Sequence, residues 1–396
     1  MRATCRYNWT PGHKDNWTLN LLLQEDHHSF ITSSSDGSLT SYLLQQLQDQ
    51  PLWKIPNAHA GSINLIKQCD PNTVVSCGLD GIKLWDLRSG KSTHSVTGNY
   101  LSLGAARGLI AGGTELSGSD AELHVWDVRN MSVPQRSFVD SHHDDITDIK
   151  FHPTIDKYFM SGSTDGYVNI YDLSQPDEDE ALHQVINFAS IHSCNFTTDS
   201  RISVLSHMET LAFYELNDTN YEDTHEPQPH ELGDVRTTWP DCEYVVDVNP
   251  AGYVSYGANS HQKLSLYPFN PIQEKFDFNR PVWFPQAHGE EVVRDLVVVP
   301  YSKSALTCGE DGNVKLWELP YQLDTPLASE DQDEEMEVED EEDKKEKKKE
   351  KKNKKDKKEK KEKKEKKDKK DKKEKKDKKD KKDKKDKKSD VRFKPY

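Results

Sequence analysis

An aromatic residue that closes a short run of alternating apolar positions recurs along this chain at Tyr42, Trp85, Trp126, Tyr171, Tyr214, Tyr267 and Trp317. The steps between them are 43, 41, 45, 43, 53 and 50 residues. A period in the forties made of short strands leaves few folds open. Each unit is one supersecondary element too small to bury its own apolar face, so neighbouring units must bury it together. Upstream of four of the aromatics, a Ser or Thr precedes an Asp-Gly pair by four residues: Thr32 with Asp36-Gly37, Ser76 with Asp80-Gly81, Ser161 with Asp165-Gly166 and Thr307 with Asp311-Gly312. Asp-Gly between alternating runs signals a tight hairpin, because the glycine takes backbone angles that other residues resist. The chain is therefore predicted to be all-β, with seven antiparallel units.

A histidine enters ahead of several units, at His59, His143 and His288, each followed by an apolar strand such as Ile146-Thr147-Asp148-Ile149-Lys150-Phe151. At these residues the chain resembles the WD-repeat family, which implies a seven-bladed WD-repeat β-propeller. The resemblance further implies hydrogen-bonded tetrads of His, Ser or Thr, Asp and the aromatic. These would be His59, Ser76, Asp80 and Trp85 in blade two, His143, Ser161, Asp165 and Tyr171 in blade four, and His288, Thr307, Asp311 and Trp317 in blade seven. Buried between strands, such a group left unpaired costs on the order of 1 to 3 kcal/mol, so the His-Asp pairs read as structural. The cluster His142, His143, Asp144, Asp145 looks like a ligand set but is read as the entrance to a blade.

Three units depart from the pattern: blade three carries Gly112, Gly113 and a long turn through Asp120, blade five has Glu209 where Asp is expected, and blade six has His261. Incomplete tetrads and looser edges are expected there. The stretches Ser141–Thr147, Phe151-His152-Pro153, Ser161–Gly166, Gly78–Gly81 and Cys308–Asp311 also resemble the WD repeat-containing protein 89 family. That likeness spans roughly residues 20 to 320 and brings no catalytic residue with it. After Trp317-Glu318-Leu319 the chain meets Pro320 and turns polar, so the last unit lacks an outermost strand. Ala3–Trp9 alternates and can supply it, removing an exposed sheet edge. The expected organisation is a propeller over 1–325, an acidic linker over 326–343 and a Lys-rich low-complexity tail over 344–396.

Charge divides along the same boundary. Residues 1–330 hold 45 acids and 21 bases, a net −24, whereas 344–396 hold 33 bases and 14 acids, a net +19. Between them, 331–343 hold ten acids and no base. Repeats of Lys-Lys-Asp and Lys-Lys-Glu cannot form a core, and a disordered or partly helical arm is expected. Lys347, Lys348, Lys349, Lys351, Lys352, Lys354 and Lys355 match nuclear import signals. The tail resembles those of nucleolar proteins that build ribonucleoproteins and ribosomes, which implies the nucleus and favours the nucleolus, with the cytoplasm and a purely solubilising arm as alternatives. Without interleaved aromatics before Phe393 and Tyr396, its contact with RNA is expected to be weak and non-specific.

The six cysteines, at 5, 69, 77, 194, 242 and 308, form no C-x-x-C pair, and no structural metal or cofactor is expected. With no secretory signal and no apolar stretch of spanning length, an intracellular chain without membrane contact is expected. No nucleotide-binding, zinc-protease or serine-hydrolase motif is present, and no catalytic residue is assigned. An excess of 24 negative charges steers basic proteins, and the segment 217–234 adds six acids without Lys or Arg. The partner expected is a basic protein, such as a ribosomal protein or assembly factor, held by a monomer within larger assemblies. Consecutive Trp85-Asp86-Leu87-Arg88 and Trp126-Asp127-Val128-Arg129 also resemble substrate receptors of cullin-RING ubiquitin ligases, whose arginines face the adaptor. Ser329, followed by Glu330, Asp331 and Asp333, resembles an acidophilic kinase site.

Overall fold

The structure, a computed structural model, describes residues 1–12, 15–24, 26, 28–218 and 228–323. Seven separate antiparallel sheets follow one another along the chain. Blade two shows the pattern: Ile63–Asp70 is innermost, followed outward by Thr73–Gly78, Gly81–Asp86 and Lys91–Val96. Each recurring aromatic sits on the third strand of its sheet, opposite a residue of the second: Trp85 faces Val74, Tyr171 faces Phe159, and Trp317 faces Ala305. That common register is why the period survives in the sequence even where individual turns differ.

What joins the sheets is apolar surface. Seven clusters of buried side chains each draw from two consecutive sheets, so every blade buries one face on the blade before it and the other on the blade after. One cluster unites Leu306, Val314 and Leu316 of the last sheet with Leu21, Phe30 and Tyr42 of the first. The chain of sheets is thereby a closed ring, a seven-bladed propeller. Polar clamps between innermost strands add to it. Asn20 Nδ2 donates to Asn64 O at 3.0 Å and Asn64 Nδ2 to Tyr100 O at 2.9 Å. Farther round, Cys194 N donates to Asp148 and Leu21 N to Asp295, at 3.0 and 2.8 Å.

Thr4–Trp9 pairs antiparallel with Val314–Glu318 and forms the outermost strand of blade seven. Trp9 is fully buried, packs edge-on against Phe30 at 5.1 Å, and donates from Nε1 to Gln48 O at 3.0 Å. Ala3 lies in the core between blades six and seven, and Ala3 N donates to Trp283 O at 2.8 Å. The amino-terminal segment therefore touches blades six, seven and one.

Blades three, five and six keep complete sheets. At the register position of Ser76 they carry Gly112, Val204 and Tyr256 in place of a Ser or Thr. A β-carbon on Gly112 would sit 2.5 Å from Ile82 Cδ1 and 3.0 Å from Tyr100, so this glycine makes room for the neighbouring blade. Tyr256 instead stacks on Tyr267, with centroids 5.4 Å apart. Packing replaces the polar tetrad in these blades.

Candidate functional site

In blades two and seven the tetrad geometry is direct. Trp85 Nε1 donates to Ser76 Oγ at 2.8 Å, Ser76 Oγ lies 2.7 Å from His59 Nε2, and His59 Nδ1 contacts Asp80. In blade seven, Trp317 Nε1 donates to Thr307 Oγ1 at 2.9 Å. Thr307 Oγ1 lies 2.8 Å from His288 Nε2, and His288 Nδ1 lies 2.6 Å from Asp311. Burial pushes both imidazoles below their ordinary pKa, so each is neutral at pH 7. The neutral ring then accepts a hydrogen bond from the hydroxyl at Nε2 and donates one from Nδ1 to the carboxylate. Burial also works against ionising Asp311, but the bonds from His288 and Asn313 outweigh it and hold its pKa at about 2. A Lys braces each of these tetrads, Lys83 Nζ to Asp80 at 2.8 Å and Lys315 Nζ near Asp311 at 3.5 Å. Ser76 and Thr307 are fully buried, and each hydroxyl is bonded within its own blade.

Blade four corrects one assignment. His142, not His143, holds the tetrad position. Its fully buried ring places Nδ1 2.9 Å from Asp165 and Nε2 2.7 Å from Ser161 Oγ, while the Tyr171 hydroxyl stands 3.4 Å from the same Oγ. His142 ends the strand Arg136–His142, where consecutive side chains point to opposite sides. His143, one residue on, turns outward and pairs with Asp120 at 2.7 Å. Spacing carried the signal: His142 precedes Asp165 by 23 residues, as His288 precedes Asp311.

Two ends of the ring are available to partners. In a four-stranded meander, the loops from second to third strand and from one blade to the next share one end, and the remaining loops share the other. Call these the tetrad end and the opposite end. Arg88 and Arg129 lie at the opposite end in adjacent blades, with side chains 74% and 85% exposed. Their guanidiniums are turned onto their own Asp86 and Asp127, with Nε distances of 3.1 and 2.9 Å. The acidic segment 217–234 also begins there, but its residues 219–227, with Glu222, Asp223 and Glu226, lie outside the described residues. So do Ser329 and the lysines from Lys347 to Lys355.

A set of channel-side charges on innermost strands was not read from the sequence. Lys150 Nζ bonds both oxygens of Asp148, at 2.6 and 2.7 Å. Burial raises the Asp295 carboxyl to about 6, helped by the like charge of Asp247, although Leu21 N opposes it. Asp247 is raised and Lys67 lowered, both chiefly by burial. The alternation in Ile146–Phe151, which puts Asp148 and Lys150 on one side, was the available signal. Among the described residues, no group of three or more His, Cys, Asp or Glu could hold a metal. Burial lifts the thiols of Cys69 and Cys77 to about 12, which makes them inert packing residues. Among the described residues, no helix is long and apolar enough to cross a membrane.

Comparison with known proteins agrees with this architecture. The family described as WD domain, G-beta repeat matches residues 133–172 and 279–318, which contain the third-strand aromatics of blades four and seven. An uncharacterised WD repeat-containing protein of Saccharomyces cerevisiae is 42% identical over 316 residues, covering 77% of this chain and 79% of its own length. Another from Schizosaccharomyces pombe is 34% identical over 232 residues, 55% of this chain and 69% of the relative. The WD repeat-containing protein 89 homolog of Dictyostelium discoideum is 27% identical over 293 residues, 70% of this chain and 78% of the relative.

Proposed function

This chain belongs to the WD-repeat family, and from that premise we propose that it is a non-catalytic scaffold that holds a basic protein, a ribosomal protein or assembly factor, during ribosome biogenesis in the nucleolus. A WD-repeat propeller is typically a protein-interaction fold. The observation that carries the finer reading is charge: residues 1–330 hold 45 acids against 21 bases. A surface of that sign draws cationic partners from beyond contact range. The lysine-rich tail supports the address, since its repeats resemble those of nucleolar proteins, and it supports no more than weak, salt-sensitive RNA contact. The test is to locate the tagged full-length chain in cells and purify it at low and moderate salt. Nucleolar signal with ribosomal proteins or assembly factors co-purifying is expected. Diffuse cytoplasmic signal with no basic protein recovered would refute the proposal.

One observation favours a second reading, a substrate receptor of a cullin-RING ligase: Arg88 and Arg129 are exposed at the same end in neighbouring blades. An adaptor would have to draw both guanidiniums away from Asp86 and Asp127. Changing both arginines to alanine is expected to abolish adaptor recovery under this reading, and an adaptor that is never recovered with the parent chain refutes it.

A further inference from the structure

We propose that Ser119, at the tip of the hairpin linking the second and third strands of blade three, accepts a phosphoryl group from an acid-directed protein kinase. This goes beyond the scaffold reading and stands whatever the ring binds. Six residues, 115–120, separate Leu109–Thr114 from Ala121–Asp127, against two to four at the same place in the other six blades. The ladder between these two strands ends at Gly113 and Leu123. Beyond it Ser117 and Asp120 form an isolated antiparallel bridge, in which Ser117 N donates to Asp120 O at 3.2 Å. Gly118 and Ser119 turn the chain between them. Gly118 has a φ of +83°, the left-handed value that a two-residue hairpin places at its first central position. A β-carbon built on it would meet no atom within 4 Å, and Glu115 through Ser119 are all exposed. The tip therefore stands in open solvent, where an enzyme can reach it.

Charge around the hydroxyl selects the class of enzyme. Carboxylates follow at the first and third positions after Ser119, as Asp120 and Glu122, and no Lys or Arg occurs from 108 to 128. A kinase whose peptide groove is lined with bases reads carboxylates placed there through charge-assisted hydrogen bonds, and one that requires arginine beside the acceptor finds none. The Glu122 side chain is 53% exposed and so open to such a reader. Ser117 has Asp120 at its third position but Gly118 at its first, and it is tied into the bridge. Transfer forms a bond from Ser119 Oγ to the γ-phosphorus of a nucleoside triphosphate and breaks the bond from that phosphorus to its bridging oxygen. The hydroxyl proton passes to the kinase's base and a nucleoside diphosphate leaves. In the unmodified chain Ser119 Oγ donates to one oxygen of Asp120, and His143 Nδ1 lies 2.7 Å from the other. Phosphorylation ends that donation and sets an ester of about two negative charges beside the carboxylate, so it loosens the tip.

Site-resolved mass spectrometry tests this on the native full-length chain incubated with an acid-directed kinase, magnesium and ATP, beside an acidic reference peptide that reports the kinase's activity. Reading each serine by itself keeps Ser119 apart from Ser329. Phosphate on Ser119 is expected. Ser117→Ala should leave its rate unchanged, and Glu122→Gln should lower it about tenfold, as the loss of one charge-assisted contact. Glutamine keeps an oxygen for His124, which lies 2.9 Å from Glu122, and circular dichroism and melting verify that each variant folds. Amide hydrogen exchange across residues 115–121 is expected to quicken once Ser119 is modified. No phosphate on Ser119 while the reference peptide is fully modified, labelling confined to the heat-unfolded chain, or a rate indifferent to Glu122→Gln would each overturn the site. Exchange unchanged in the phosphorylated chain would overturn the loosening.

Discussion

In each tetrad one hydroxyl serves two buried rings at once. Thr307 lies between Trp317 Nε1 and His288 Nε2, so Thr307→Val strips the partner from both and is expected to cost about 2 to 4 kcal/mol in denaturant unfolding. The same logic separates two adjacent histidines. His142→Ala should destabilise by about 2 to 4 kcal/mol, because it leaves a cavity in a closed site and takes the imidazole partner from Ser161 and Asp165. His143→Ala, which removes only an exposed pair with Asp120, should stay within about 0.5 kcal/mol. Asp295 gives a pH signature. Its folded pKa of about 6 lies above the unfolded value of about 3.9. The folded state therefore binds the extra proton between those values, and the contribution to stability falls as pH rises through that window. Asparagine keeps an acceptor for Leu21 N without the charge. Asp295→Asn is expected to melt higher than the parent at pH 7.5, with the difference vanishing toward pH 4, and a difference constant with pH would contradict the assignment.

Among the elements, Thr4–Trp9 matters most, because among the described residues it is the strand that completes a blade from the other end of the chain. Removing it exposes the Val314–Glu318 edge and takes Trp9 and Ala3 out of two inter-blade cores. Deleting residues 1–10 is expected to lower the melting temperature well below the parent's and to promote association through the bared edge. Trp9→Ala alone should cost about 3 to 5 kcal/mol, and a deletion that melts with the parent would contradict this role. Blade three makes a complementary point. Gly113 sits where a β-carbon would press on Ser102 and Ile146, so Gly113→Ala should destabilise by about 1 to 3 kcal/mol through overpacking, although the sheet itself contains no tetrad.

For the whole molecule, one face of each blade is the other half of its neighbour's core, so stability and closure are the same property. The charge of the ring is likewise collective. No single acid defines a site, and capture of a basic client should weaken at least about tenfold between low salt and roughly 0.3 M salt as the field is screened. A client held at undiminished affinity in high salt would point to apolar docking instead.

By itself the sequence determined the seven-fold repeat and its closing strand, because turn chemistry and strand alternation are local and recur with each blade. It also marked the tetrads of blades two and seven, in each of which a lone histidine precedes the Ser/Thr and Asp-Gly signature. Which of His142 and His143 turns inward depended on where the strand Arg136–His142 ends, and a one-residue shift reverses the direction of a side chain. That Gly112, Val204 and Tyr256 take the place of a Ser or Thr became visible only once the strands were in register. The charges gathered on the innermost strands were likewise decided by tertiary structure. Closing a ring gathers loops that are some forty residues apart in the chain onto one surface, and no local pattern encodes what they meet there.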